Sequence, residues 1–299
     1  MSLALLNVLY GLSGFAIAAL VGRLLIPVMK AWRMMDQPKK GSRKIHHHQI
    51  PLGGGVAIYV AFFLTILLLV PLSAQFFPHV LTFRQFFFMA LGGLILIIGG
   101  IVDDRFTLRA RWQILLPIAA AIIVIAGNIV PHVITNPWGG TLSLEGVSIF
   151  SSTASRLLLV ADVLTFFWLM GMMLTTKILD GLDGLVTGIV AIGALLLFVL
   201  SQQPRWYQSE IGFLSILLFG TCLGFLVWNW HPAKIFLGEG GSLLTGYLLG
   251  VLAIVAGGKI AATFLVVGVP ALDIIRVLIR RWQTGRPLLR GDREHLHFQ

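Results

Sequence analysis

Acidic residues are scarce in this sequence, and where they fall suggests chemistry rather than solvation. Asp103, Asp104, Asp180, Asp183, Glu239, Asp292 and Glu294 all lie in short polar segments at the ends of long apolar runs. Asp103 and Asp104 follow the apolar stretch 94–102 with no spacer. Two adjacent carboxylates at a hydrocarbon boundary repel, so one can gain the proton affinity of a general base, or the pair can attract a divalent cation through hard oxygen ligands. Lys177-Ile178-Leu179-Asp180-Gly181-Leu182-Asp183-Gly184-Leu185 sets two Asp-Gly pairs between apolar runs. Glycine lets such a turn aim carboxylates and free backbone N–H groups into one small volume, where a nucleotide could be held.

The segment from Asn229 through His231-Pro232-Ala233-Lys234 and Phe236 to Gly238-Glu239-Gly240-Gly241-Ser242 opens a further apolar run. Its glycines allow backbone to approach phosphate, a helix start favours anions, and Phe236 offers a ring to a base. Histidines gather at His46-His47-His48 and His295-Leu296-His297, beside Arg43, Lys44 and Arg293. Histidine with arginine suits a polyphosphate better than a metal cage. Each feature has a plainer reading: solvated loop charge for the acids, helix packing for the glycines, a surface or tag-like run for the first histidines, and headgroup attraction for the basic loop.

The elements that must position these residues are membrane helices. Hydrophobic residues make up 57% of the 299-residue chain and charged residues 11%, with a mean hydropathy of +0.91, so the solvent is a bilayer. The reading is a single all-α domain over 1–299, a polytopic helix bundle with nine spans at roughly 3–29, 53–72, 85–102, 112–130, 157–175, 185–201, 210–228, 241–257 and 260–281. The first run is too long for a signal-peptide core and is read as a retained span. With the N-terminus outside, the segments 30–52, 103–111, 176–184, 229–240 and 282–299 lie inside and carry most of the lysine and arginine, as membrane topology requires. The basic excess is thereby assigned to loops and anionic lipid, not to nucleic acid. One outside segment, 131–155, alternates Leu142, Leu144, Val147 and Ile149 around Glu145-Gly146 and reads as a short outer β-hairpin. Cys222, the only cysteine, sits in an apolar run as a packing residue.

Taken together and in this order, the motifs resemble the polyprenyl-phosphate N-acetylhexosamine-1-phosphate transferases. That family includes the phospho-N-acetylmuramoyl-pentapeptide transferases and the enzymes that begin O-antigen and teichoic acid linkage synthesis. The resemblance covers nearly the whole chain: Arg43-Lys44-x-His46 with Ile50-Pro51 and Gly53-Gly54-Gly55, Asp103-Asp104, the Asp-Gly-Leu-Asp-Gly-Leu turn, the segment 232–242, Pro270 with Asp273, and Asp292-Arg293-x-His295-x-His297. It implies about ten helices around a cytoplasmic cleft, a tenth span lying beyond a C-terminally truncated chain, and a bacterial or archaeal cytoplasmic membrane. It also implies a UDP-sugar donor, here closer to the N-acetylglucosamine branch, undecaprenyl phosphate or a similar acceptor, Mg2+ (or Mn2+) and a homodimer.

By that similarity Asp103 or Asp104 activates the lipid phosphate, Asp183, Asn229 and Phe236 bind the nucleotide, and Asp180 lies near the metal and diphosphate. Lys44, His46, Arg293, His295 and His297 neutralise phosphate oxygens, with His295 counted among the catalytic groups. Glu239 and Asp180 are the implied metal ligands. Departures from the family pattern are Lys177 and Leu174 where asparagines are usual, Glu239 in place of Asp, and Phe298 in place of a third histidine. Protonated lysine has no acceptor with which to ligate a cation. Lys177 is therefore expected to pair with Glu239 or to contact the diphosphate, leaving a metal with fewer protein ligands or none.

Three rival readings remain. A transporter or lipid-binding scaffold would place its charges midway along the helices. A CDP-alcohol phosphatidyltransferase would carry Asp-Gly-x-x-Ala-Arg, where this chain has Leu185 and Val186. The third is a degenerate paralogue that binds polyprenyl phosphate without catalysis.

Overall fold

The computed structural model describes residues 3–36, 49–69, 82–131, 133–135, 141–143, 148–152, 155–204, 208–256 and 268. Nine helices lie within them: α1 (Leu3–Ala31), α2 (Gly55–Leu69), α3 (Phe83–Phe106), α4 (Ala110–Gln113), α5 (Leu115–Ala126), α6 (Leu159–Leu179), α7 (Leu185–Ser201), α8 (Ser209–Asn229) and α9 (Gly238–Val255). Eight of the nine expected spans fall on these helices; the span at 260–281, residue 268 apart, lies outside the described residues. By length and composition five of the helices can cross a membrane: α1, α3, α6, α8 and α9. The apolar segments 55–69, 110–126 and 185–201 are shorter. The expected span 112–130 is divided at Ile114 into α4 and α5.

The β structure differs from the single hairpin expected around Glu145-Gly146. β3 (Val133–Thr135) pairs antiparallel with β4 (Thr141–Ser143), and β5 (Ser148–Ser152) with β6 (Ser155–Leu158). Two ladders thus share the segment, and no ladder joins 141–143 to 148–152 among the described residues. The alternation of apolar residues marked extended chain correctly but does not specify which neighbour a strand takes.

At the centre stands α9, buried at every residue from Gly240 to Ile254 and packed against α6, α3, α2 and α7. α1 lies along α8 and α2 and turns leucines such as Leu12, Leu20 and Leu24 outward, an apolar exterior suited to lipid. Because lipid offers no partner for polar groups, buried and half-buried aromatic donors are satisfied across helices: Tyr247 Oη donates to the Met89 carbonyl (2.8 Å), Trp168 Nε1 to Gly250 (3.0 Å) and Trp228 Nε1 to Ala19 (2.7 Å).

The crossing that sets the site joins α9 to α2 and α3. A Cβ added at Gly241 would sit 2.8 Å from Gly55 Cα, and one at Gly240 would sit 2.6 Å from the Leu96 carbonyl oxygen. Backbone meets backbone here, which only glycine permits. Replacing Gly240 by Ala is expected to part the helices and destabilise the detergent-solubilised protein by about 1–3 kcal/mol. Gly171→Ala, in α6 with nothing within 4 Å of the new methyl, should leave stability unchanged or raise it. Thermal unfolding of the two variants beside the parent checks this, and equal melting temperatures would contradict the packing argument.

Candidate active site

The loops that carry the motifs converge at one end of the bundle. β1 (Met35–Asp36) pairs antiparallel with β2 (Ile50–Pro51) and closes the first loop at its base. The segment after α8 adds to the other side of this ribbon: Phe236 N donates to the Pro51 carbonyl (2.9 Å), Gly54 N to Phe236 (2.9 Å) and Gly55 N to Leu237 (2.9 Å). Gly53 and Gly238 have φ of +107° and +74°, values that side chains resist. A Cβ on Gly238 would also collide with the Asp104 carboxylate.

Asp103 and Asp104 take different positions. Asp103 is 2% exposed, and its Oδ1 accepts from Leu108 N (2.7 Å) and Gln113 Nε2 (3.1 Å), tying the end of α3 to α4. Asp104 is half-buried and points toward α9, its Oδ1 accepting from Glu239 N (3.2 Å). The first acid organises the turn; the second faces the cleft.

Asp180 sits on the turn between α6 and α7, its residue exposed at the surface although protein atoms crowd around its carboxyl. That enclosure, followed by the negative charges of Glu239, Asp104 and Asp183, raises its pKa from an ordinary 3.8 to about 8. Carboxylates from α3, the α6–α7 turn and α9 thus share one electrostatic neighbourhood.

Lys177, in the last turn of α6, brings positive charge to this cluster. Its Nζ lies 2.7 Å from Glu239 Oε2 and donates to Gln113 Oε1 at 3.1 Å. The first contact is an ion pair rather than an aligned hydrogen bond, since Glu239 Oε2 is covered and accepts none. Of the two partners expected for Lys177, Glu239 is the one seen.

Asp183 anchors the neighbouring loop. Its Oδ2 accepts from Ala233 N (3.0 Å) and lies 2.9 Å from His231 Nδ1, on an exposed ring. Asn229 is buried with both ends of its amide engaged, Oδ1 accepting from Thr187 Oγ1 (3.0 Å) and Nδ2 donating to the Ile235 carbonyl (3.0 Å). It shapes the loop bearing Phe236, whose residue is half-buried.

Asp103, Asp104, Lys177, Asp180, Asp183, Asn229, Phe236 and Glu239 therefore come together, while Lys44, His46, Arg293, His295 and His297 lie outside the described residues. Gln113 and His231 join the site without having been singled out. A carboxylate next to a helix turn gave no sign that a glutamine ten residues on would bridge it to a lysine on another helix.

Metal ligation meets an obstacle here. Among the described residues no group of three or more His, Cys, Asp or Glu side chains is arranged to hold a metal ion. Glu239 already faces an ammonium. A divalent cation on the same carboxylate, about 4 Å from that ammonium, would meet a repulsion of about 8 kcal/mol at an effective dielectric of about 20. The described residues do not fit a cation held by Glu239 while Lys177 stays in place.

The site is thus a cluster of carboxylates and one lysine, drawn from separate helix ends, at one end of an apolar helical bundle. Comparison of the sequence gives the family: the model described as glycosyl transferase family 4 matches residues 86–257, and the chain belongs to that family, as a phosphoglycosyltransferase. Three relatives illustrate it. A protein of Bacillus subtilis (strain 168) named probable undecaprenyl-phosphate N-acetylglucosaminyl 1-phosphate transferase is 28% identical over 95% of this chain and 75% of its own length. The decaprenyl-phosphate N-acetylglucosaminephosphotransferase of Mycolicibacterium smegmatis is 33% identical over 86% of this chain and 66% of its own. The phospho-N-acetylmuramoyl-pentapeptide-transferase of a Synechococcus strain is 30% identical over 97% and 83%.

The raised Asp180 carboxyl has a consequence for stability. The folded protein binds this proton more tightly than the unfolded chain does, so stability falls as pH rises from about 4 toward about 8. Asp180→Asn should flatten that slope in chelator-containing detergent buffer, with its gain over the parent growing toward the alkaline end. Melting temperatures measured from pH 5 to pH 9 test this, and parallel curves would refute the shift.

Proposed function

We propose that this chain transfers an N-acetylhexosamine-1-phosphate, N-acetylglucosamine-1-phosphate by the names of two of the relatives given above, from a UDP-sugar to undecaprenyl phosphate or a similar polyprenyl phosphate. The lipid phosphate oxygen attacks the sugar-linked phosphorus, the bond from that phosphorus to the bridging oxygen breaks, and UMP leaves with the bridging oxygen. The observation that carries this reading is the sharing of one electrostatic neighbourhood by Asp104, Asp180, Asp183 and Glu239, drawn from separate helix ends, with Lys177 among them. Phosphoryl transfer needs little covalent help from protein; it needs positioning and neutralisation of charge.

In this reading Asp104, on the cleft side of its pair, takes the proton of the lipid phosphate or orients its attacking oxygen. Asp103 holds Asp104 in place through the turn it organises. Asp183 and the loop 231–237, with Phe236, receive the nucleotide, and Asp180 lies toward the diphosphate. Lys44, His46, Arg293, His295 and His297 supply further positive charge around the phosphates. The cleft opens to the cytoplasm of a bacterial membrane with the N-terminus outside, a topology supported by the basic residues of the converging segments.

The test is purified protein in detergent with undecaprenyl phosphate and a panel of UDP-sugars, reading UMP release and lipid-linked product. Asp104→Asn should lower turnover by about 10²-fold or more, the usual scale for a lost acid–base group, with the melting temperature little changed. No UMP from any UDP-sugar would overturn the transferase reading in favour of a binding protein, and a parental rate in Asp104→Asn would overturn the role given to Asp104.

A further inference from the structure

We propose that Lys177 is a resident cation of the donor site, positioned by Gln113 and Glu239 so that its ammonium neutralises the donor diphosphate in place of a divalent cation ligated by Glu239. The inference rests on the transferase reading for its substrate but on Lys177 itself for its geometry. Lys177 stands one turn before Asp180, on the helix that ends at the Asp-Gly-Leu-Asp-Gly turn, so its charge is set at the head of that turn. Its two partners among the described residues are Glu239 Oε2 at 2.7 Å, an ion pair, and Gln113 Oε1 at 3.1 Å, a hydrogen bond, which leaves ammonium N–H for a phosphate oxygen.

Gln113 makes this placement specific. Its Nε2 donates both to Asp103 Oδ1 (3.1 Å) and to the Leu108 carbonyl (3.2 Å), so its two amide hydrogens are committed to acceptors and its oxygen is turned toward Lys177. The reversed amide would set N–H groups against the ammonium and an oxygen against a carboxylate. One neutral side chain therefore links the buried acid of α3 to the lysine of α6. Glu239 completes the arrangement through a contact held by charge alone, without hydrogen-bond alignment, so the ammonium can turn toward an incoming diphosphate without breaking a directed bond. A cation ligated by Glu239 would have to displace Lys177 first.

The experiment uses the full chain in detergent after chelation, and it reads binding without turnover. UDP affinity is measured in EDTA and in Mg2+, and Mn2+ binding is followed by electron paramagnetic resonance. UDP should bind in EDTA within about threefold of its affinity in Mg2+. Lys177→Met should weaken that metal-free binding about tenfold or more, while Lys177→Arg, which keeps the charge, retains most of it. Lys177→Asn should gain stoichiometric Mn2+ binding that the parent lacks. Stoichiometric Mn2+ binding by the parent without nucleotide, or UDP binding only with Mg2+ and unaltered in Lys177→Met, would overturn the inference. Metal-free UDP binding that depends on Lys177 but yields no UMP from any UDP-sugar would sink the transferase reading and leave the role of Lys177 standing.

Discussion

The site depends on a contact that contains no charge. Where α9 begins, Gly240 and Gly241 press against the backbones of α3 and α2, closer than any side chain allows. Glu239 immediately precedes these glycines, and Asp103 and Asp104 follow Gly100, whose own Cβ would strike Gly240. Van der Waals packing of bare backbone, the main source of helix association in lipid, thus brings acids together that would otherwise repel. The apolar bundle overrides the electrostatics of its end; the raised proton affinity of Asp180 comes first from desolvation and only then from the neighbouring acids.

A cluster forced together in this way calls for positive charge, and the fold supplies it from nearby. Lys177 lies one turn from Asp180 and meets Glu239, so the acid nearest the glycine crossing is matched by the base nearest the Asp-Gly turn. The same loops take their shape from hydrogen bonds: Asn229 to Thr187 and Ile235, Ala233 N to the Asp183 carboxylate, and the 236–237 backbone to residues 51–55. These loop groups are thereby held before any ligand arrives, and a preorganised site need not reorganise when charge moves in the transition state.

The helices were legible because a bilayer demands length and apolarity, and the described helices overlap the expected spans, five of them being long enough to cross. Pairing of the strands in 133–158 was not legible, since alternation fixes a face and not a partner. Scarcity made the acids conspicuous, and departure from a family pattern made Lys177 and Glu239 so; their pairing was one of two expectations for the lysine. Gln113 was invisible for the opposite reason. A neutral amide at a helix end is ordinary in sequence, and its meaning lies wholly in what three dimensions set around it. Asn229 showed a related limit: a polar residue in a motif can be consumed by the loop it holds.

Adjacent residues on a helix point about 100° apart, and the Asp103-Asp104 pair turns that geometry into a division of labour. One side chain must face away from the cleft when its neighbour faces into it. At the end of α3 the inward acid, Asp103, has backbone and amide donors waiting, from Leu108 and Gln113, so its charge is held without reaching the ligand. The outward acid, Asp104, keeps a single backbone donor from Glu239 on Oδ1, and its other oxygen sits against Gly238, where a glycine alone leaves room. Two carboxylates in sequence are therefore not two copies of one function. The first fixes the bend that places the second, and through Gln113 it also reaches the lysine across the cleft, so that acid and cation are set by the same short chain of hydrogen bonds.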